Sequence, residues 1–274
     1  RFLVAAGLIL WLGASSTLAM VGYALGMLFV LASQYWFFRR IITPPGSVGY
    51  AGSKTATHWQ VQIFKYSWPF ATWGLLSWGR TVADRWGLEV LSSTDDVGLY
   101  SVLFQLGYYP IAMLFGMVTT LLAPIYFQRA GNASDTVRVN EIFNLGWKIT
   151  LYAIMVMLGV TIISFFLHRP IFSLLVAKEY IHISYLLPGI LLAAGLYEST
   201  RFLTIVLQAQ NVNSILIVPT NVAHLVSMLL IFAGAAWNGL EGVVIAYIVQ
   251  AFIPLIWMIA IFKKQQRLLM ARIF

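Results

Sequence analysis

Ionisable side chains stand inside three long apolar runs of this sequence, and their spacing groups them. Trp73, Ser77, Arg80 and Asp84 recur at three- and four-residue steps, so a helix presents them on one face. Ala194, Glu198, Arg201, Ile205 and Gln208 repeat the pattern in a second run, and Asn221, His224 and Met228 share a face in a third. A charge at the centre of a bilayer costs about 2.5–3.5 kcal/mol on insertion scales, so each of these groups needs a partner or a water-filled cavity. Two kinds of chemistry are on offer. A guanidinium stays charged and grips phosphate oxygens with its planar fork, which makes Arg80, Arg201 and, nearer the end of its run, Arg85 candidates for an anionic head group. An intramembrane carboxylate or imidazole can carry a coupling ion, which makes Glu198 and His224 candidates for a proton or cation. Structural readings stand beside these. Arg80 and Asp84 can pair at i,i+4. Glu198 and Arg201 can neutralise one another at i,i+3, and that neighbour would hold Glu198 ionised. A lone His such as His224 is more often a hydrogen-bonded packing residue.

A further stripe, Ser101, Gln105, Tyr108, Ala112, Gly116 and Thr119, is small or polar. Small residues let helices approach closely, so packing is its plain reading, with Gln105 and Tyr108 as alternative hydrogen-bonding groups for sugars. The chain has no Cys and four scattered His, so neither a thiolate metal site nor a His cluster is expected. No phosphate-gripping Gly-rich loop and no grouped base and nucleophile occur, which disfavours an enzyme and implies no cofactor beyond a possible H+ or Na+.

The elements that must position these residues are membrane helices. Hydrophobic residues make up 60% of the 274 and charged ones 9%, with a mean hydropathy of +0.83, a balance unsuited to a water-facing globule. Only helices or closed barrels satisfy their backbones in lipid, and these runs are too long and too evenly apolar for barrel strands. The formal charge of +8 sits at the ends of the runs instead of on one basic face, which fits membrane topology and not nucleic-acid binding.

Eight spans are expected. The first, at residues 2–12, rises only about 17 Å and reads as the tail of a longer helix, so the chain reads as a fragment. The others cover residues 17–38, 64–86, 97–127, 142–167, 183–208, 215–237 and 243–262. Residues 41–62, with Pro44, Pro45 and Gly46, read as a cytoplasmic linker between the last helices of one lobe at 1–40 and a six-helix lobe with a basic tail at 63–274. Placing Arg39 and Arg40 in the cytoplasm puts Arg129, Arg138, Lys263, Lys264, Arg267, Arg272 and the C-terminus there too, with Glu89, Asp95, Asp96 and Glu241 outside. Arg169 and Lys178 run against the bias.

Asp96-Val97-Gly98-Leu99-Tyr100-Ser101, followed by Tyr109-Pro110 and Leu122-Ala123-Pro124, resembles one helix of the polysaccharide and O-antigen flippases of the multidrug, oligosaccharidyl-lipid and polysaccharide exporter superfamily. Lys65-Tyr66-Ser67-Trp68-Pro69 with Asp84-Arg85, and the run Asn238-Gly239-Leu240-Glu241-Gly242 to Tyr247, fit the same family in the same order over almost the whole chain. The resemblance implies an all-α, MATE-like integral membrane transporter of two six-helix lobes around a cavity that opens to either side in turn. Its expected activity is translocation of oligosaccharide units linked to polyprenyl diphosphate across a bacterial cytoplasmic membrane, for surface polysaccharide or lipopolysaccharide synthesis. Arg80, Asp84, Arg85, Arg201, Gln105 and Tyr108 would then line the cavity. The partners implied are the bilayer, the lipid-linked substrate and the polysaccharide polymerase and chain-length machinery. A drug or cation antiporter and a peptidoglycan lipid-precursor flippase are the neighbouring alternatives; a membrane polymerase or ligase is a more distant one.

Overall fold

The structure is a computed structural model that describes residues 2–13, 15–41, 53–130, 136–210 and 213–271. Half of the expected linker, residues 42–52 with Pro44, Pro45 and Gly46, lies outside those residues, as do Arg1 and Arg272, while residues 53–62, expected as linker, are helical and open α3. The described residues form helices and no strand: α1 (Phe2–Leu12), α2 (Ser16–Ile41), α3 (Ser53–Leu91), α4 (Thr94–Ala130), α5 (Thr136–Leu175), a 3-10 segment (Lys178–Leu186), α6 (Leu187–Ala209) and α7 (Asn213–Met270). The chain divides into two compact units, Arg1–Phe64 and Lys65–Phe274. In the first, α1 packs on α2, where Arg39 and Arg40 lie over the rings of Tyr35 and Trp36 one turn earlier.

Among the described residues, five helical stretches are long and apolar enough to cross a membrane: Thr17–Arg40, Thr94–Ala130, Val137–Leu175, Lys178–Ala209 and Ile215–Leu268. The chain is an all-helical, multi-pass membrane protein. Two of the expected spans do not meet that standard. Helix α1 has only 11 residues. Helix α3 is long, but Lys65, Arg80, Asp84, Arg85 and Glu89 interrupt its apolar run and lower its mean apolarity below that of every other α-helix. Large apolar side chains such as Met113, Leu121, Phe165, Phe166, Leu229 and Ile256 are exposed along α4, α5 and α7, as expected where hydrocarbon is the solvent.

Helix α6 is the centre of the second unit. It packs against α4, α5 and α7, and most of its side chains are buried. Small residues permit this: a Cβ added at Gly195 would stand 2.6 Å from both Cβ and Cγ of Met157 on α5. No larger side chain fits there without moving α5.

Helix α7 is two arms. Asn238 (φ −151°, ψ 37°) and Gly239 (φ 50°, ψ −127°) leave helical geometry, and Gly239 takes the positive φ that favours glycine. The backbones at Gly234 and Gly242 touch. Residues eight apart in a continuous helix are about 12 Å apart along its axis, so the chain must turn back on itself. The two arms pack antiparallel, with Gly234 also against Ala246.

This turn, the α3–α4 connection and the 3-10 segment meet at one end of the unit. Gly239 lies against Ser92 and Asp96, and Ser92 hydrogen-bonds Asp96. Tyr185 and Asn238 both donate to Glu241. At the other end, Gln266 Nε2 donates to Asn140 (3.0 Å) and Asn144 (3.2 Å), tying the end of α7 to the start of α5.

Candidate functional site

The ionisable residues of α3, α4, α6 and α7 converge inside the second unit. Asp84 is 1% exposed. It accepts hydrogen bonds from the Tyr100 hydroxyl (2.7 Å) and the Arg85 backbone N–H (2.8 Å), and the Arg85 guanidinium stands 3.6 Å from Oδ1. Glu198 is wholly buried on α6. The Tyr108 hydroxyl donates to its Oε1 (2.9 Å), and Arg201 Nε sits 2.9 Å from Oε2, at ion-pair distance though poorly aligned for a hydrogen bond. Each buried carboxylate therefore has one tyrosine from α4 and one arginine from its own helix. Such pairing is what allows a carboxylate to remain charged away from water.

Tyr100, Phe104 and Tyr108 fall at four-residue steps and so line one face of α4. Phe104 stacks on Tyr108 (4.5 Å between centroids, 16° between planes), and both meet Tyr247 of α7 edge-on at 5.9 and 6.0 Å. Arg80 enters this aromatic wall from α3. Its guanidinium lies 4.1 Å from the Tyr197 ring centroid and 5.9 Å from that of Tyr247.

The expected i,i+4 pair between Arg80 and Asp84 does not form. Asp84 turns to Tyr100 and Arg85, and no carboxylate of the described residues lies within ion-pair distance of Arg80. Aromatic faces replace the carboxylate, an exchange that contributes about 2 kcal/mol or more when the cation is desolvated. Arg80 is 8% exposed, and its Nε and Nη2 find no hydrogen-bond acceptor in the protein. His224 Nε2, Asn221 Oδ1 and both amide atoms of Gln250 are likewise buried without protein partners, and His224 lies within electrostatic range of Arg80. Buried polar atoms left over by the protein mark places where water or a polar ligand completes the hydrogen bonding.

No protein-family model matches the chain, and neither does any curated protein or solved structure. The reading of the site therefore rests on its own chemistry. Arg80, Arg85 and Arg201 stand around Asp84 and Glu198, three guanidiniums to two carboxyl groups, so basic groups outnumber acidic ones in the cluster. Arg85 and Arg201 stand at ion-pair distance from the two carboxylates, while Arg80 stands farther off, within electrostatic range of both.

Of the residues singled out from sequence, Arg80, Asp84, Arg85, Tyr108, Glu198, Arg201 and His224 belong to this cluster or its edge. Arg201 is at the edge, with half of its side chain exposed. Gln105 is exposed and apart, because it directly follows Phe104 and so stands about 100° around the helix from it. Tyr100, Tyr197, Tyr247 and Gln250 were not singled out. The four-residue aromatic step on α4 was the available signal for the first of these; nothing local marks the other three. Among the described residues no three His, Cys, Asp or Glu side chains could hold a metal ion together.

Proposed function

We propose that the chain is part of an alternating-access flippase for oligosaccharides carried on polyprenyl diphosphate, in the MATE-like fold that its motifs resemble. The observation that carries this reading is Arg80: a buried guanidinium with no carboxylate at ion-pair distance among the described residues and two nitrogens without a hydrogen-bond acceptor. A diphosphate group supplies what Arg80 lacks, namely anionic oxygens in a geometry that the planar fork can meet twice. The tyrosine faces around it suit both the cation and the apolar side of a sugar ring. As the lobes rock, the charged head would cross past this cluster while the polyprenyl tail stays in the bilayer. The coupling ion would be H+ or Na+, with Glu198 and His224 as the groups placed to respond to it.

In this reading eight crossings arise from α1 as a partial span, α2, α3, α4, α5, α6 and the two arms of α7. Helix α3 would belong among them despite its charges, because Arg80 and Asp84 are buried in the polar cluster. The last six would form one lobe. The acidic end with Glu89, Asp95, Asp96 and Glu241 would face outward, and the end with Arg129, Lys263, Lys264 and Arg267 would face the cytoplasm. Polymerase and chain-length proteins would act on the exported unit.

The drug or cation antiporter fits less well. A cationic substrate needs a carboxylate to spare, and both buried carboxylates here are already matched by arginine. The test is export of lipid-linked glycan by the intact transporter carrying Arg80→Ala, Arg80→Lys or Arg201→Ala. Arg80→Ala should reduce surface polysaccharide at least tenfold with normal membrane insertion, in line with a lost charged hydrogen bond, and trap the carrier in the inner leaflet. Lysine should restore only part, since it keeps the charge but loses the fork. Normal export by both alanine variants would sink the assignment.

A further inference from the structure

The basic end of α7 carries a second feature that the Arg80 cluster does not use. Ala260, Lys263, Lys264, Arg267, Leu268 and Ala271 line an open cleft of about 530 Å³. Lys263, Lys264 and Arg267 are exposed there, and neither Lys264 nor Arg267 has a carboxylate within ion-pair distance among the described residues. The cations continue a stripe. Ile245, Val249, Phe252, Ile256 and Ala260 precede them at three- and four-residue steps on the same helix arm, and all five are exposed. One face of α7 thus passes without interruption from apolar to cationic.

The dimensions decide what this face resembles. From Phe252 to Lys263 the helix rises about 16 Å, close to the ~15 Å of hydrocarbon in one bilayer leaflet. Lys263 Nζ lies 5.1 Å from the ring centroid of Trp147, an aromatic residue of the type that marks the level of the head groups. The hydrogen bonds from Gln266 to Asn140 and Asn144 fix the helix at that level. Apolar length of one leaflet, then three cations at head-group depth, is the complement of a single negatively charged phospholipid.

We propose that this face of α7 is a binding site for an anionic phospholipid, with an acyl chain along Phe252, Ile256 and Ala260 and the phosphate between Lys263, Lys264 and Arg267. The site is independent of what the protein exports. Each basic side chain near a bilayer surface contributes about fivefold in affinity for anionic lipid, so loss of two weakens it about thirtyfold.

The chain reconstituted in phosphatidylcholine nanodiscs is titrated with phosphatidylglycerol, and bound lipid is counted by native mass spectrometry. Lys264→Gln should weaken binding of the tightest phosphatidylglycerol about fivefold, and Lys264→Gln with Arg267→Gln about thirtyfold. Lys263 is left in place because it packs on Trp147. Arg169→Gln with Lys178→Gln removes the same charge from exposed positions at the opposite end and should leave the affinity unchanged. Equal affinity in parent and cleft variants, equal loss in the opposite-end control, or equal retention of phosphatidylcholine would each overturn the proposal. Displacement of the lipid by millimolar inorganic phosphate would overturn it as well, since the acyl stripe would then contribute nothing.

Discussion

Among the described residues, Tyr108 supplies the only hydrogen bond from another helix to Glu198, a carboxylate with no exposed surface. Tyr108→Phe removes the hydroxyl and keeps the ring that stacks on Phe104, so it isolates the hydrogen bond from the packing. Leaving Oε1 without a partner should cost about 1–3 kcal/mol, read as a lower thermal midpoint in detergent. An unchanged midpoint would mean that Glu198 is satisfied by Arg201 alone. The Glu198–Arg201 pair was legible in the sequence because its partners are one helical turn apart. Tyr108–Glu198 and Tyr100–Asp84 were not, since their partners lie 90 and 16 residues apart and meet only through helix packing. The same physics explains the failure of the Arg80–Asp84 pair. An i,i+4 spacing permits an ion pair, but a tyrosine on α4 and aromatic faces on α6 and α7 compete for each partner, and in the folded unit they win.

Two glycines on touching helices make opposite predictions, because one is crowded and the other is not. At Gly195 on α6 a Cβ would come within 2.6 Å of Met157, whereas at Gly159 on α5 it would meet nothing within 4 Å. Gly195→Ala should therefore destabilise the second unit by about 1–3 kcal/mol through overpacking. Gly159→Ala should be neutral or stabilising by up to about 1 kcal/mol, the helix-propensity gain. Thermal unfolding of the two variants side by side checks this; equal midpoints would show that α5 and α6 are not in close register at Met157. Element positions were largely readable from apolar length, and the expected spans at residues 97–127 and 142–167 fall inside α4 and α5. The 3-10 segment before α6 was not readable, because nine residues of mixed polarity do not distinguish a 3-10 helix from the α-helix it leads into. The turn within α7 was marked in the sequence by Asn238-Gly239, a pair whose residues tolerate the dihedrals a helix cannot use.

At the scale of the molecule, charge sorts to the two ends of the second unit, and that sorting gives a test of topology. Asp95 and Asp96 open α4 while Arg129 closes it. Glu241 follows the α7 turn while Lys263, Lys264 and Arg267 end the second arm. A helix of 37 residues such as α4 is about 55 Å long, more than a bilayer with its head groups, so these two sets must lie on opposite sides of any membrane the helix crosses. The side that holds the cations should be the cytoplasmic one, since Lys and Arg near span ends resist translocation. These 274 residues contain no Cys, so a single introduced cysteine is the only one among them. With single cysteines introduced as Asp95→Cys and Lys264→Cys, an impermeant thiol reagent added to intact cells should label the first and not the second, and cell lysis should expose both. Labelling of Lys264→Cys from outside would invert the topology, and labelling of both in intact cells would mean that α4 and the second arm of α7 do not cross. Because Gly239 of the α7 turn lies against Asp96, a third variant, Trp237→Cys, should follow Asp95→Cys in every condition. A split between those two would place the α7 turn away from the acidic end and would remove the antiparallel hairpin on which the span count depends.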